Sequence, residues 1–384
     1  MKKFLVIASS PSSFLNFRGQ LLKSLSEQDC EVHLAAPLFE SHQDDFQKLR
    51  SMGYIIHNIP LERTGVNPLS DLSTLLTLYN IIRKIRPTYV LSYTIKPVIY
   101  GSIAAWLNKV PNRFALITGL GYAFQQVEET GKRSKFQKII HELYRQALSK
   151  TNHVFFQNPD DLNLFRHLKL IGASTPTTVV SGSGVPLERF KFTPSPIIKA
   201  DNVITFLLIA RLLADKGIRE YAKAAKIIKS KYPSVNFNLV GPFDSNPSAI
   251  TKEELDGWIR NGDIAYLGKL NDVRPAIAQS SVFVLPSYRE GTPRTVLESM
   301  AMGRAIITTD APGCRETVID GLNGFLVPVK SVDELVTAME KFILNPNLIS
   351  KMGVASREFA EEKFDVNKVN EVMLDKMGIN KTND

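Results

Sequence analysis

The sequence predicts an α/β protein made of two consecutive doubly wound domains. Short β-branched runs alternate with amphipathic stretches along the whole chain, and a proline-rich interval divides them into two series. A length of 384 residues at 44% hydrophobic composition suffices for two separate cores.

In the first series the strand candidates are residues 4–8, 31–35, 54–59, 89–93, 113–117, 153–157 and 177–180. Helical spacing falls between them, notably over 16–27, 70–85, 97–107 and 132–150. The opening MKKFLVIASS is apolar only from Phe4 to Ala8. A secretory h-region needs about 7–15 residues, so a buried first strand is the expectation. The interval 182–202 holds three prolines and mixed charge without periodicity, and is expected to be an interdomain linker. Strand candidates resume at 203–210, 236–240, 264–267, 282–286, 305–309 and 324–327, with helices near 217–230, 252–260, 271–278, 293–302 and 331–344. Parallel sheets of this kind bind ligands at the carboxyl ends of their strands, so two such domains facing each other would share a cleft.

The net charge is +9. Residues 1–190 hold roughly 22 basic against 14 acidic side chains, and residues 191–384 roughly 25 against 24. An excess confined to the first half suits an anionic lipid surface, a phosphorylated substrate or nucleic acid. Cys30 and Cys314 lie far apart with no second ligand at metal spacing, which fits a reduced, cytoplasmic protein. No apolar run approaches the ~20 residues of a membrane span.

The most informative stretch is VFVLPSYREGTPRTVLESMAMGRAII, residues 282–307. A buried strand ends at Pro286, and after a loop Thr292 and Pro293 read as the N-cap and first residue of a helix. A helix N-terminus suits a diphosphate. Glu290 precedes that turn and Glu298 follows it, a spacing that lets one carboxylate lie near the phosphates while the other accepts from ribose hydroxyls. Two glutamates at this separation also occur on ordinary solvated helices. Upstream, FLLIARLLADKG, residues 206–217, carries Arg211 and Lys216 on the loop after a strand. Two cations there suit a diphosphate and the charge on a departing nucleotide, although an exposed basic loop has the same appearance.

The E-x7-E pattern, its Gly-x-Pro insertion, the preceding Pro-Ser and the small-residue helix after it resemble the signature of family 4 of the retaining GT-B glycosyltransferases. The resemblance runs almost without a gap from about residue 203 to 364, and more loosely through the first half. It implies a GT-B fold: Rossmann-like domains at 1–190 for the acceptor and 191–362 for the nucleotide sugar, and a terminal helix in 363–384 crossing back. It implies transfer from a UDP-sugar with retention, Arg211, Lys216 and Glu290 acting in catalysis. The donor would also meet Gly291, Thr292, Pro293, Arg294, Thr295 and Glu298. Lys269 and Leu270, after Gly268, would lie beside the base, and Gly19 on a loop after the first strand would let the backbone approach the donor phosphates or the acceptor. Asp310, Gly313 and Glu316 would border the site or serve turns and caps.

Many members carry a histidine near the donor sugar, whereas residues 93–102 and 116–124 contain none. The six histidines, at 33, 42, 57, 141, 153 and 167, read as strand, loop or helix surface. Arg18, Lys96, Gly119 and Tyr122 remain as acceptor candidates. No Asp-x-Asp ends a strand, so neither a metal nor any other cofactor is expected. The runs FLNFRGQLLKSL, ITGLGYAF, VFFQNPDDLNLF and EGTPRTVLES resemble bacterial enzymes that extend undecaprenyl-diphosphate-linked saccharides, often with N-acetylgalactosamine from UDP. A lipid-linked glycan acceptor is thus the expected partner, and nucleic acid is not. In residues 130–150, Lys132, Arg133, Lys135, Lys138, Arg145 and Lys150 accompany apolar positions assigned to packing. Their basic side is expected to attach the protein peripherally to the anionic inner face of the cytoplasmic membrane. The absent G-x-G-x-x-G speaks against a dinucleotide oxidoreductase. A GT-B-fold epimerase or phosphorylase and a non-catalytic carbohydrate-binding protein stay open at this point.

Overall fold

The computed structural model describes residues 1–39, 42–62, 67–120, 135–196, 203–244, 246 and 248–379. The chain forms two compact units, residues 1–183 with 367–384, and residues 184–366.

In the first unit the strands are β1 (Lys2–Ile7), β2 (Cys30–Ala36), β3 (Ile55–Asn58), β4 (Tyr89–Tyr93), β5 (Asn112–Ile117), β6 (His153–Phe156) and β7 (Thr177–Val179). They make one sheet in the order β3-β2-β1-β4-β5-β6-β7, with every neighbouring pair parallel. Successive side chains of a strand alternate between faces. Phe4, Val6 and Ala8 therefore join a core with Phe14, Leu21 and Leu25, while Leu5 and Ile7 join another with Val90, Val98 and Ile99. Burying each such side chain contributes about 1.5–3 kcal/mol. Both faces are apolar because crossover helices cover both. These are α1 (Ser12–Glu27), α2 (Gln43–Ser51), α3 (Pro68–Ile85), α4 (Ile95–Leu107), α5 (Lys135–Leu148) and α6 (Pro159–His167). Asn67 caps α3 by accepting from the amides of Leu69 and Ser70, and Asn158 caps α6 by accepting from that of Asp161. Proline holds the first helical position in each case.

The second unit repeats the plan with β8 (Thr205–Ile209), α7 (Ile218–Lys231), β9 (Asn236–Val240), α8 (Lys252–Arg260), β10 (Ala265–Tyr266), α9 (Arg274–Gln279) and β11 (Val282–Leu285). It continues through α10 (Arg294–Ala301), β12 (Ala305–Thr309), β13 (Gly324–Val327), α11 (Val332–Leu344) and α12 (Asn347–Lys363). Its parallel sheet runs β10-β9-β8-β11-β12-β13. The last helix, α13 (Val366–Lys376), packs back on the first unit, where Val369, Met373 and Met377 join the core of Phe4 and Phe14.

The units divide at 183/184 and 366/367, not at the expected 190/191 and 362/363. The expected linker explains the shift, because its first part is built into the second unit. Val185 donates to the Phe364 carbonyl and accepts from the Val366 amide, and Phe190 is buried in the second core. Arg304, itself buried, donates to Ser195 Oγ and to the Thr193 carbonyl at 2.9 and 2.7 Å. Helices α2 and α12 were not anticipated. The inward face of α12 includes Gly353, Ser356 and Ala360, and Gly353 lies so close to Gly303 that a Cβ would meet its carbonyl oxygen at 2.3 Å. Beyond Ile349 and Met352 this face continues in small residues, so its large-apolar periodicity is cut short.

Candidate active site

Strands β8 and β11 are adjacent at the centre of the second sheet, and the chain leaves them toward opposite edges. The loops at their carboxyl ends meet at this switch point, where doubly wound sheets hold ligands. The loop after β8 closes in a 3-10 turn, Ala214–Lys216, and ends at Gly217 with φ 70°. A Cβ at Gly217 would lie 2.1 Å from the Pro286 carbonyl oxygen, so only glycine allows the two loops to touch. The Asp215 carbonyl accepts from the Tyr288 amide at 2.8 Å and from Ser287 Oγ at 3.0 Å.

This zipped pair of loops brings Lys216 and Glu290 together. Lys216 Nζ donates to Glu290 Oε1 at 2.6 Å, and the single Ser287 hydroxyl proton is shared between the Asp215 carbonyl and this same oxygen, 2.9 Å from Oγ. The two side chains are 13% and 18% exposed. Burial alone would pull the Lys216 ammonium down, but Glu290 and Asp215 outweigh it and hold the pKa above its ordinary value. The cation is therefore fixed in place and in charge. From the other side, the Glu290 amide donates to the Pro312 carbonyl, and Gly313, with φ 80°, approaches the Glu290 carbonyl where a Cβ would sit 2.2 Å away. Ser287, Asp215 and the Tyr288–Glu220 hydrogen bond of 2.8 Å are parts of the site that sequence reasoning missed. Their signal was the Pro-Ser-Tyr after β11, read only as part of a motif.

Arg211 stands apart from that pair. It is 52% exposed and its Nη1 donates to Asp244 Oδ2 at 2.8 Å, a partner no motif indicated. Glu298 is buried on α10 and accepts from Arg294 Nε at 2.8 Å. Burial pushes its carboxyl up, opposed by Arg294 and Arg189. Helix α10 corrects the capping expectation. Pro293, not Thr292, occupies the N-cap with extended backbone, and the Thr292 hydroxyl donates to the Gly291 carbonyl at 2.9 Å. Thr295 lies in the first turn, its carbonyl accepting from Ser299 Oγ. Lys269 is exposed, whereas Leu270 packs against the second core. Asp310 pairs with Arg315 at 2.6 Å, a local turn contact.

At the corresponding switch point of the first unit, between β1 and β4, the chemistry is different. Tyr93 OH and Ser13 Oγ are 2.8 Å apart, and the buried Arg18 guanidinium lies 5.6 Å from the centre of the Tyr93 ring. Burial pushes the Tyr93 phenol up, so it stays neutral. Arg18 is thus part of the interior. Gly19 does not lie on a loop: α1 begins at Ser12, and a Cβ on Gly19 would meet nothing nearer than the Phe14 carbonyl oxygen at 3.8 Å. Immediately after β4, Thr94 has φ 70° and ψ 161°, a region that β-branched residues avoid. Its Oγ1 is buried without a hydrogen-bond partner among the described residues. Lys96 Nζ donates to Asp71 Oδ1 at 2.8 Å in a largely buried pair. Gly119 has φ 123°, and Tyr122 lies outside the described residues. His141 is buried on α5, not on a helix surface, and His33 is buried between Glu31 and His57 at 2.8 and 2.9 Å. Among the described residues no three His, Cys, Asp or Glu side chains gather as a metal-binding group.

Residues 5–158 match the family Glycosyl transferase 4-like, and residues 203–345 match Glycosyl transferases group 1. The chain is a glycosyltransferase. The enzyme is 29% identical over 341 residues, 86% of each chain, to the N,N'-diacetylbacillosaminyl-diphospho-undecaprenol alpha-1,3-N-acetylgalactosaminyltransferase of Campylobacter jejuni. It is 26% identical over 339 residues, 84% of each chain, to the UDP-Gal:alpha-D-GlcNAc-diphosphoundecaprenol alpha-1,3-galactosyltransferase of Escherichia coli. Among solved structures it matches Anabaena HepE in complex with UDP and glucose, with a TM-score of 0.77 at 16% identity over 98% of this chain and 100% of that one. The glycosyltransferase therefore has the GT-B fold class of two Rossmann-like domains.

Proposed function

We propose that the enzyme transfers N-acetylgalactosamine or a related hexose, with retention, from a UDP-sugar to a saccharide carried on undecaprenyl diphosphate. The observation that carries this reading is the Lys216–Glu290 pair, fixed at the switch point of the second unit. Similarity to two transferases whose acceptors are undecaprenyl-diphosphate saccharides supports the acceptor class. In this reading the second unit takes the donor and the first unit the acceptor.

The bond between the anomeric carbon and the diphosphate oxygen breaks with its electrons moving onto the diphosphate. The acceptor hydroxyl bonds to the same face of that carbon, and its proton passes to the departing phosphate oxygen. Lys216 and Arg211 stabilise the charge that develops there, which is the step where preorganised cations are most effective. Glu290 holds Lys216 in position, and Glu298 accepts from the ribose hydroxyls. Because these side chains supply the positive charge, transfer proceeds without a divalent metal. The enzyme works at the cytoplasmic face of the membrane as a peripheral protein; among the described residues no helix is long and apolar enough to cross.

The test is UDP release from UDP-N-acetylgalactosamine with and without a diphospho-undecaprenyl saccharide, in the presence of a chelator. Acceptor-dependent release and an α-linked product are expected. Release indifferent to acceptor overturns the transferase reading for this acceptor class, a β-linked product overturns retention, and loss of activity with chelator overturns metal independence.

A further inference from the structure

Helix α3 is apolar on two sides. Its inward side, with Thr74, Leu78, Ile82 and Ile85, packs on the first unit. On the other side Leu69, Leu72 and Leu76 recur at i, i+3 and i+7 and are 78%, 51% and 54% exposed. A single exposed leucine is ordinary, but three along one helical stripe form a patch. The same stripe ends in the exposed Arg83, next to the exposed Lys84, and Arg86 follows directly after the helix. The one acidic residue of α3, Asp71, is turned inward and neutralised by Lys96.

A second helix extends this surface. Asn108 Nδ2 donates to the Tyr79 carbonyl at 3.1 Å, fastening the end of α4 beside the middle of α3. At that end Trp106 and Leu107 are exposed, Lys109 is exposed beside them, and Lys150 Nζ lies 4.6 Å from the centre of the Trp106 ring. Leucines, a tryptophan and a cationic rim without acidic neighbours on α3 match what an anionic bilayer surface offers. Apolar side chains enter the acyl boundary, tryptophan prefers the headgroup level, and Lys and Arg meet lipid phosphates.

We propose that this face of α3, with the end of α4, is the surface by which the enzyme docks on an anionic membrane. A second copy fits the stripe poorly. Parallel pairing through it would bring Arg83 against Arg83, and antiparallel pairing would press Arg83 onto Leu69. The docking surface centres on α3 and shares Lys150 with the basic set of residues 130–150 that the sequence suggested. There Arg145 is already engaged with Glu142 and the Lys169 carbonyl, while Lys132 and Arg133 lie outside the described residues. The purpose of docking rests on the lipid-linked acceptor proposed above, but the binding itself is measured without any sugar.

The experiment is flotation of the full chain with vesicles of phosphatidylcholine alone or mixed with phosphatidylglycerol. Three proteins are compared: wild type, Leu69→Ser/Leu72→Ser/Leu76→Ser, and Arg83→Gln/Arg86→Gln. Wild type is expected to float with the anionic vesicles only, and the triple variant to stay behind. Each cation removed should lower the partition coefficient about fivefold, since one near an anionic leaflet is worth about 1 kcal/mol. The exposed positions predict unchanged melting curves, and turnover of a short-chain, water-soluble acceptor should be equal in all three. Flotation of the triple variant like wild type overturns the proposal, as does equal wild-type binding to neutral vesicles. A wild-type dimer that the triple variant converts to monomer in sedimentation would assign the face to a second copy instead. A failure of sugar transfer leaves the flotation result standing, so the two readings fail separately.

Discussion

The two units have the same central plan, β1 beside β4 and β8 beside β11, yet they equip the carboxyl ends of those strands with different chemistry. In the second unit the loops are joined through the Asp215 carbonyl and carry formal charge, Lys216 against Glu290, with Arg211 and Asp244 on the flanking segments. In the first unit the strand ends carry a neutral phenol and hydroxyl with a buried guanidinium beside them, a threonine in strained backbone, and the Lys96–Asp71 pair just beyond it. One fold plan thus provides a rigid electrostatic edge and a polar, strained edge. The switch point supplies only the place, and the loop residues decide what is held there.

The largest effect should come from breaking the charged edge. Lys216→Ala is expected to lower turnover about 100 to 1,000-fold, the loss typical of removing one preorganised electrostatic stabiliser. Steady-state kinetics on a variant with a wild-type melting curve measures it, and a loss below about tenfold would remove the distinction drawn between the two edges.

An intermediate effect of opposite sign is expected in the first unit. Thr94→Gly relieves a backbone conformation that costs on the order of 1–3 kcal/mol, so the variant should melt later than wild type. A lower melting temperature would mean that the strain at the end of β4 is not there to be relieved.

The smallest effect concerns pH. His57 binds its proton near 6.5 in the unfolded chain but only at about 4 in the fold, because burial, His33 and Lys84 oppose the charged form. The unfolded chain therefore binds more protons between those values, and stability present above 6.5 is lost as pH falls toward 4. The contribution is on the order of 1 kcal/mol for this partly solvated group. Denaturant unfolding at several pH values, compared with His57→Gln, should show a shallower decline in the variant. Equal slopes would exclude His57 as a source of acid sensitivity.

The charged edge was legible in the sequence because its residues lie in two short stretches, 206–217 and 282–307, each read directly from strand to loop. The first-unit edge was not. Asp71, Ser13, Tyr93 and Lys96 come together only through tertiary packing, and nothing in the order of residues marks Thr94 as strained. Among the elements, 89–93, 236–240, 305–309 and 324–327 coincide with observed strands, and 89–93 and 305–309 do so as continuous buried runs with clear ends. The proline-rich 182–196 segment misled for the opposite reason. Its polar composition reads as a tether, but Val185 and Phe190 anchor it in the second core. Thr292 and Gly19 misled because a residue type suited to a cap or a tight loop also fits elsewhere.

The return of α13 to the first unit has a consequence for the order in which the protein is made. Residues 184–366 are continuous in the chain, so the second unit has all its parts once they have left the ribosome. The first unit is synthesised earlier, yet Val369, Met373, Met377 and Ile379 of its core arrive last. Domains usually fold as they emerge, amino-terminal end first. Here the amino-terminal unit keeps an apolar face uncovered until residues 367–379 have emerged after the second unit, and is therefore the half more in need of a chaperone during synthesis.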